Sequence, residues 1–367
     1  MTIIGLALST WGRFKEGFRP MDFGGGDEIR FERIGKAGVV TLTRPKALNA
    51  LTHGMVKALA RALDSWEADP AVALVVVKGE GRAFCAGGDI LAVYEAGRAG
   101  KASPDFFADE YRLNTRIRRF TKPYVALVDG IVMGGGVGIS CHGSHRVMTG
   151  NAVFAMPEVG IGFFPDVGGS YILPRLKGSF GMYLALTGNR IRYGDALASG
   201  LATHAVKTDD LAALFDELCR DGDADGSLGR FGLIPDRETD EATLHAIQRH
   251  FSGADLRTIV TGLGNARAGD TFASTVLETM LKRSPTSLAV AFLQITAGAM
   301  LEMEECMRME FRILNRMLAG HDFYEGIRAT LVDKGSKPEW RPATIDELDR
   351  GAVDAYFAPL PDGELEL

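Results

Sequence analysis

The sequence predicts a layered α/β fold followed by a helical C-terminal region. From about residue 28, short β-rich runs alternate with stretches whose apolar residues recur at helical spacing. After about residue 180, most segments have helical periodicity. A chain of 367 residues can bury a substantial core, either as one large domain or as a main domain with a sizeable appendage.

The elements of the first half follow one another regularly. Strands are predicted at "AGVVTLTR", "VALVVVKG" and "KPYVALVDG", and a helix at "LTHGMVKALARALDSWEA". A second helix is predicted at "SPDFFADEYRLNTRIRRFT", with Ser103 as N-cap and Pro104 in the first helical position. The run "GGGVGISCHG" predicts a helix that begins directly after a strand.

Three regions are predicted along the chain. Residues 1–26 are expected to lie outside the fold as an N-terminal extension, because "DFGGGDEIRF" is typical of a flexible join; whether Met1 or Met21 is the true start stays open. Residues 27–205 form the α/β core, and residues 206–367 form the helical region. Within the latter, the Gly- and Asp-rich stretch 221–240 is predicted to be a linker.

Composition narrows the class of protein. The net charge of −6 and the pI of about 5.7 argue against a nucleic-acid binder, and no apolar run is long enough for a membrane span. Four scattered cysteines favour a reducing, cytoplasmic location. His142 and His145 have no third metal ligand nearby in sequence, so no metal site is expected. The oligomeric state stays open.

Residues 133–138, "MGGGVG", leave two interpretations open. A dinucleotide fingerprint fails because Ile139 stands where its third glycine is needed, and no Gly-Lys-Ser/Thr follows. One interpretation is a tight strand-to-helix turn with close packing. The other is an oxyanion hole, in which the N–H of Gly135 at the helix start and that of Gly88 in "RAFCAGGDI" bind a carbonyl oxygen.

Two acidic residues follow in apolar surroundings. Glu158 in "FAMPEVGIGFF" is either a salt-bridged structural residue or a catalyst whose surroundings raise its pKa. Asp166 follows Pro165 and is either the N-cap of the next helix or a substrate-binding group. The two roles of Asp166 are compatible.

Four ordered motifs resemble the crotonase (enoyl-CoA hydratase/isomerase) superfamily over roughly residues 30–205. They are "TRPKALNALT", "GRAFCAGGDI", "KPYVALVDGIVMGGGVGIS" and "FAMPEVGIGFFPDVGGSYILPRL". Further stretches are similar to one branch, the 3-hydroxyisobutyryl-CoA hydrolases: "DEYRLN", "FFPDVGG", "SPTSL" and "FYEGIRATLVDKGSKPEWRP". With these, the resemblance extends to nearly the whole chain.

The resemblance implies a crotonase-type spiral of ββα units, with a helical C-terminal part that folds over or beside the active site. It implies hydrolysis of a short hydroxyacyl-CoA thioester, such as 3-hydroxyisobutyryl-CoA in valine degradation, with no cofactor beyond the CoA of the substrate. The implied roles are an oxyanion hole (Gly88, Gly135), a nucleophile or general base (Glu158), contacts to the acyl hydroxyl or a water (Asp166, Glu110) and a CoA cradle (Lys46, Ala47, Leu48, Ala86).

Departures from the family pattern keep alternatives open. Gly138 stands where hydratases of similar sequence carry a first catalytic glutamate, so addition of water across a C=C bond lacks one carboxylate. Asp109 replaces the first glutamate of the family's "EEY" helix, and Glu110 could instead be a solvated charge on a helix face. The alternatives are an enoyl-CoA hydratase or isomerase that uses Glu158 alone and a CoA-binding protein without catalytic activity.

Overall fold

The computed structural model describes residues 19–361 and 363–367. In that part of the chain, the strands form one large sheet and one small sheet. The strands are β1 (Arg19–Met21), β2 (Ile29–Ile34), β3 (Ala37–Leu42), β4 (Leu74–Gly79), β5 (Ala83–Cys85), β6 (Tyr124–Val128), β7 (Ile131–Met133), β8 (His145–Thr149), β9 (Val153–Ala155), β10 (His204–Val206) and β11 (Gly232–Leu233).

The order of the strands shows the repeating unit. The large sheet runs β1-β2-β3-β4-β6-β8-β10-β11 and is parallel from β3 to β10, whereas β5, β7 and β9 form the small parallel sheet. After β4, β6 and β8 the chain therefore steps into the small sheet before it returns through helical structure. This arrangement confirms the predicted α/β spiral of ββα units.

The helices between the strands and after them cover both sheets. In the first part of the chain they are α1 (His53–Ala68), α2 (Ile90–Arg98), α3 (Asp105–Arg118), α4 (Gly135–Cys141), α5 (Gly169–Ile172), α6 (Phe180–Thr187) and α7 (Tyr193–Ser199). The C-terminal part contributes α8 (Leu211–Asp221), α9 (Ala224–Phe231), α10 (Glu241–Phe251), α11 (Leu256–Gly264), α12 (Thr271–Leu281), α13 (Pro285–Gly298), α14 (Met303–Leu318), α15 (His321–Ile327) and α16 (Arg350–Asp354).

The central strands are apolar on both faces because both faces are covered. Val39 and Val76 point into a cluster with α8 and α9, whereas their neighbours Val40 and Val77 point into the main core. The stretch 221–240 is therefore not a linker, as predicted, since it contains α9 and the edge strand β11. Its Gly and Asp residues act at helix ends: Gly222 terminates α8 in a left-handed conformation, and the Asp223 carboxylate caps α9.

The start of the described chain lies on the sheet. Residues 19–21 pair antiparallel with β2, Met21 accepts a hydrogen bond from the indole of Trp66, and the Phe23 ring packs edge-on against Trp66. The predicted extension of residues 1–26 is thus wrong for residues 19–26, because apolar side chains in this stretch complete the packing around Trp66. Residues 1–18, which the same prediction covers, lie outside the described residues.

Two further local predictions can be compared with the structure. Helix α3 begins at Asp105 with Pro104 as the cap residue, one position later than predicted; the Ser103 hydroxyl still accepts a hydrogen bond from the Asp105 amide. Helix α4 begins at Gly135 directly after β7, as predicted. Within the described residues, none of the helices has the length and apolar character needed to cross a membrane.

Candidate active site

One cavity of about 810 Å³ brings together all nine residues that the sequence assigned to the site. They are Lys46, Ala47, Leu48, Ala86, Gly88, Glu110, Gly135, Glu158 and Asp166. The C-terminal region adds Arg283, Thr330, Leu331 and Lys334 to the wall. That region therefore does border the cavity, although α8 and α9 lie on the opposite face of the large sheet.

The small sheet explains why distant motifs meet. Its three strands are parallel, so their carboxyl ends lie at the same edge. Gly88 follows β5 by three residues, Gly135 follows β7 by two, and Glu158 follows β9 by three. Three sequence motifs thus supply one group each to the same side of the cavity.

Each glycine of the triplet has its own steric reason. Gly134 has a φ of 47°, in the left-handed region that favours glycine. A Cβ atom on Gly135 would lie 2.5 Å from Oε1 of Glu110, and one on Gly136 would lie 2.1 Å from the carbonyl oxygen of Cys85. The interpretation as a closely packed turn is therefore correct, and it is compatible with a ligand-binding role.

The geometry also suits the second interpretation of the glycines. Among the described residues, neither the Gly88 nor the Gly135 amide donates to an acceptor, and Gly135 is the first residue of α4. The two loops touch, since a Cβ atom on Gly134 would lie 3.3 Å from Cα of Gly87. Two free N–H groups on neighbouring loops of one cavity can bind a single oxygen atom.

Glu158 begins a 3-10 turn, residues 158–161, beside these amides. Its side chain is buried, its Oε2 atom has no hydrogen-bond partner, and no cation among the described residues pairs with it. Burial, reinforced by the charge of Asp166, raises its pKa well above the usual value. These features exclude the salt-bridged structural role and leave an available carboxyl group at the cavity wall.

Asp166 is also buried, and its Oδ2 atom accepts a hydrogen bond of 3.0 Å from the Tyr111 hydroxyl. Burial raises its pKa to about 7, although the Tyr111 hydrogen bond opposes the shift. Helix α5 begins at Gly169, and the Gly169 amide donates to the backbone carbonyl of Asp166. The side chain is therefore not the helix cap that the sequence offered as one of its roles.

Glu110 completes a group of three buried carboxyls. It is 2% exposed, which rules out a solvated charge on a helix face, and its Oε1 atom has no partner. Burial and the charge of Asp166 raise its pKa well above the usual value. Burial and mutual repulsion among three neighbouring carboxyls disfavour their simultaneous ionisation.

A fourth buried carboxyl, Glu310 on α14, holds the turn that carries Asp166. Its two oxygens accept the amides of Gly168 (2.8 Å) and Ser170 (3.0 Å) as well as the Ser170 hydroxyl. Burial raises the pKa of Glu310 to about 8, against these donated hydrogen bonds. Glu310 was not predicted as a site residue, because the methionine-rich sequence of α14 is typical of a helix that packs in the core.

The backbone of the same turn is held from two other sides. Val167 has a φ of 51°, which is strained for a β-branched residue. His142 Nε2 lies 2.7 Å from the Val167 carbonyl oxygen, and the Gln294 amide donates to that of Pro165. Because burial lowers the pKa of His142 to about 4, its imidazole is neutral and Nε2 donates the proton. The strained turn persists because its neighbours fix it.

Asn114 occupies the space beside Gly138, so a larger side chain at position 138 would not fit. A Cβ atom on Gly138 would lie 2.6 Å from Nδ2 of Asn114 and 3.0 Å from Cβ of Val167. Asn114 and Glu110 are four residues apart on α3 and both contact α4. The departure at Gly138 is therefore built into the packing of α3 against α4.

Other groups at the site were not predicted. Arg283 lines the cavity, donates to the Thr187 carbonyl oxygen (2.9 Å), and its Nε atom has no partner. Arg283 immediately precedes the "SPTSL" stretch, and the similarity of that stretch to the hydrolase branch was the sequence signal that could have indicated it.

His145 forms a hydrogen bond with Asp225, and no group of three metal-binding side chains occurs within the described residues.

Comparison with known proteins identifies the family. A family model described as enoyl-CoA hydratase/isomerase matches residues 37–357. The chain belongs to this family. Relatives named 3-hydroxyisobutyryl-CoA hydrolase, mitochondrial, include those of Danio rerio (44% identical, covering 93% of this chain and 92% of the relative) and Homo sapiens (41%, covering 93% and 91%). The resemblance to that branch is thereby confirmed.

Solved structures of the enoyl-CoA hydratase/isomerase family confirm the fold. A carnitinyl-CoA dehydratase from Mycobacterium thermoresistibile has a TM-score of 0.86 at 41% identity and covers 93% of this chain and 98% of its own. An enoyl-CoA hydratase from Rhodobacter sphaeroides 2.4.1 has a TM-score of 0.84 at 37% identity and covers 93% and 100%. These titles describe dehydration and hydration, whereas the sequence relatives are named as hydrolases.

The contact between Gly138 and Asn114 can be tested by a double-mutant cycle. We expect Gly138→Ala to lower the free energy of unfolding by about 1–3 kcal/mol through overpacking, and Asn114→Ala in the same chain to recover part of that loss. Urea unfolding measures both. Gly229→Ala is the control, since no atom lies within 4 Å of its added Cβ and α9 should gain helix propensity. Strict additivity at 138 and 114 would contradict this contact.

The buried carboxyl of Glu310 predicts a dependence of stability on pH. Because its folded pKa of about 8 exceeds the unfolded value of 4.5, the free energy of unfolding falls as the pH rises between these values. Glu310→Gln removes one such group, so the fall measured by urea unfolding from about pH 5 to about pH 8 should become shallower. The exposed Glu241→Gln serves as control. Equal slopes in parent and Glu310→Gln would show that Glu310 is ionised throughout.

Proposed function

We propose that the protein hydrolyses 3-hydroxyisobutyryl-CoA to 3-hydroxyisobutyrate and free CoA, a reaction of valine degradation. The observation that carries the proposal is the pairing of two buried carboxyls, Glu158 and Asp166, with two free backbone amides in one cavity. The names of the sequence relatives support the same substrate. The proposed reaction uses no metal and no separate cofactor, and CoA enters as part of the substrate.

The two amides bind the oxygen of the thioester. As a nucleophile adds to the carbonyl carbon, negative charge develops on this oxygen, and the N–H groups of Gly88 and Gly135 stabilise it. Each such donor typically contributes about 3 kcal/mol in the transition state. Neither amide has a competing acceptor in the described residues, so no existing bond must break first.

Glu158 acts on the carbonyl carbon by one of two routes. As a nucleophile, its carboxylate forms a mixed anhydride and releases CoA thiolate, and water then cleaves the anhydride to the acid. As a general base, it takes a proton from the water that attacks directly, and that proton can pass to the leaving thiolate. Both routes require Glu158 to be ionised, and the raised pKa makes it a stronger base.

Asp166 and Glu110 recognise the acyl group or order the water. Asp166 is buried and accepts one side-chain hydrogen bond, from Tyr111, and the 3-hydroxyl of the substrate is a suitable second donor. On the CoA side, Lys46, Ala47, Leu48 and Ala86 form the cradle. Leu48 has a φ of 51°, which turns the chain toward the cavity, and Lys46 and Lys334 add positive charge for the phosphates.

The names of the two similar solved proteins, a carnitinyl-CoA dehydratase and an enoyl-CoA hydratase, favour the enoyl-CoA hydratase alternative. Against it stands Gly138, where a second carboxylate is absent and Asn114 fills the space. A CoA-binding protein without catalytic activity would not require several buried carboxyls with raised pKa values. For the compartment, four free cysteines support our proposal of a reducing cytoplasmic location, although the relatives' names place those proteins in mitochondria. The oligomeric state stays open.

One assay separates the three functions. The purified protein is incubated with 3-hydroxyisobutyryl-CoA, and separately with crotonyl-CoA, while free thiol and enoyl absorbance are followed. We expect thiol release from the first substrate and little loss of enoyl absorbance from the second. Enoyl loss without thiol release would establish a hydratase, and no change in either signal would support a binding protein.

Glu158→Gln should abolish hydrolysis, because an amide neither attacks the carbonyl nor accepts a proton from water. We expect kcat for thiol release to fall about a thousandfold with the fold unchanged by circular dichroism. Glu241→Gln, which removes an exposed carboxylate, should retain parental activity. Turnover by Glu158→Gln within about tenfold of the parent would remove this residue from the mechanism.

Asp166→Ala should weaken recognition of the hydroxyl. The ratio of kcat/KM for 3-hydroxyisobutyryl-CoA to that for isobutyryl-CoA should fall by about tenfold or more, because only the first substrate loses a hydrogen bond. Tyr111→Phe is the matched control, since it removes the Tyr111 hydrogen bond and keeps the carboxyl. An unchanged ratio in Asp166→Ala would assign this residue to the ordering of water instead.

A further inference from the structure

A second concavity lies at the other end of α4. It has a volume of about 190 Å³ and shares no lining residue with the active-site cavity. Helix α4 begins at Gly135 beside Glu158 and ends at Cys141 in the floor of this second concavity. Three arginines line it: Arg118, Arg146 and Arg175. We refer to it below as the arginine pocket.

Among the described residues, no carboxylate compensates the charge of the arginine pocket. In residues 19–361 and 363–367, no carboxylate oxygen lies within 4.0 Å of any of the three guanidinium groups. The neighbouring arginines at the end of α3 are different, since Arg116 on α3 pairs with Glu67 and its C-cap residue Arg119 pairs with Glu304. The chain has six more acidic than basic residues, so three arginines without a carboxylate partner around one concavity are unexpected.

The wall of the pocket is held in place by bonds to neutral groups. Arg146 donates to the carbonyl oxygens of Leu201 (2.6 Å), Gly143 (3.2 Å) and Gly200 (3.3 Å). These contacts fix the guanidinium while leaving its positive charge in place. Arg146 thus supplies charge at a defined position.

The other two arginines share one aromatic ring. Arg175 lies 3.8 Å from the centroid of Tyr171, and its Nη atoms donate to carbonyl oxygens. Arg118 donates from Nη2 to the Tyr171 hydroxyl at 3.2 Å. Within the described residues, Nε of Arg175 and both Nε and Nη1 of Arg118 make no hydrogen bond, so N–H donors remain available for a ligand.

The floor adds no negative charge. Burial raises the pKa of Cys141, so its thiol is protonated, and burial lowers that of His142 to about 4, so its imidazole is neutral. Burial lowers the pKa of Arg146, and the charge of Arg118 acts in the same direction. The arginines therefore repel one another across the pocket, and an anion between them would relieve that repulsion.

We propose that the arginine pocket binds a phosphate group, either as inorganic phosphate or carried by a nucleotide. Arginine is the side chain best suited to phosphate, because its planar donors pair with several oxygens at once. The available N–H groups lie on Arg118 and Arg175. Arg146 adds positive charge, while its own donors bind backbone carbonyl oxygens. A volume of about 190 Å³ admits a small group of this kind and is too small for a folded segment of another protein.

The test measures the midpoint of thermal unfolding (Tm) against inorganic phosphate and, in a second series, against adenosine monophosphate. Each series is compared with sodium chloride at equal ionic strength and without CoA, because CoA itself carries nucleotide phosphates. We expect Tm to rise with phosphate or with the nucleotide, as for any ligand that binds the folded state. A larger response to the nucleotide would identify a carried phosphate, and equal responses would identify the free ion.

The matched variants decide where the anion binds. In Arg118→Gln/Arg175→Gln, the concentration that gives half of the Tm response should rise about tenfold or more. Arg190→Gln/Arg249→Gln removes the same charge from two exposed positions outside the pocket and should respond like the parent. If the first double variant fails to fold, Arg118→Gln alone serves, since Arg118 is exposed and makes one hydrogen bond.

Two results would overturn the proposal. One is the absence of any anion-specific rise in Tm in the parent. The other is an equal rise in the pocket variant and the parent, which would place the anion elsewhere on the surface. Neither comparison depends on the hydrolase activity, so failure here and failure of the proposed function are distinguishable.

Discussion

Four carboxyl groups lie out of water around one strained turn, and the architecture of the site follows from that constraint. Glu110, Glu158 and Asp166 line the cavity, and Glu310 lies behind the turn that carries Asp166. None of the four is neutralised by an arginine or lysine in the described residues. Their desolvation is costly, so the surrounding fold must supply donors or allow the groups to keep protons.

The fold supplies both. Backbone amides and a hydroxyl reach Glu310, and the Tyr111 hydroxyl reaches Asp166. Glu158 and Glu110 each keep an oxygen without a partner, and burial, reinforced by the charge of Asp166, raises their pKa values. The groups that lack donors face the cavity where the proposed substrate binds. Glu310, which accepts the most hydrogen bonds, lies away from the cavity. Glu310 therefore positions the turn, whereas the carboxyls that face the cavity have the proposed chemical roles.

Much of this arrangement could be predicted from the sequence. The glycine triplet, the "PE" turn and the "FPD" turn are short and local, and parallel strands bring their carboxyl ends together. The family resemblance added Glu110 and the cradle residues, and all nine residues lie in one cavity. Glu310 could not be found in this way, because its role depends on α14 packing against a turn about 140 residues earlier. Similarly, Gly and Asp residues are typical both of flexible linkers and of helix ends. The composition of the stretch 221–240 therefore could not show that two helix ends lie close together there. Only tertiary contacts distinguish those cases.

Asp166 and Glu310 are buried carboxyls whose pKa values of about 7 and about 8 predict that they hold protons at neutral pH before substrate binds. Infrared difference spectroscopy on ¹³C-glutamate-labelled and ¹³C-aspartate-labelled protein measures this directly, through the carbonyl stretch of a protonated carboxyl group. We expect such a band in the free protein at neutral pH, shifted by each label, and weakened in Glu310→Gln and in Asp166→Ala. A spectrum at neutral pH with carboxylate bands alone would contradict the claim, because all four groups would then be ionised despite their burial.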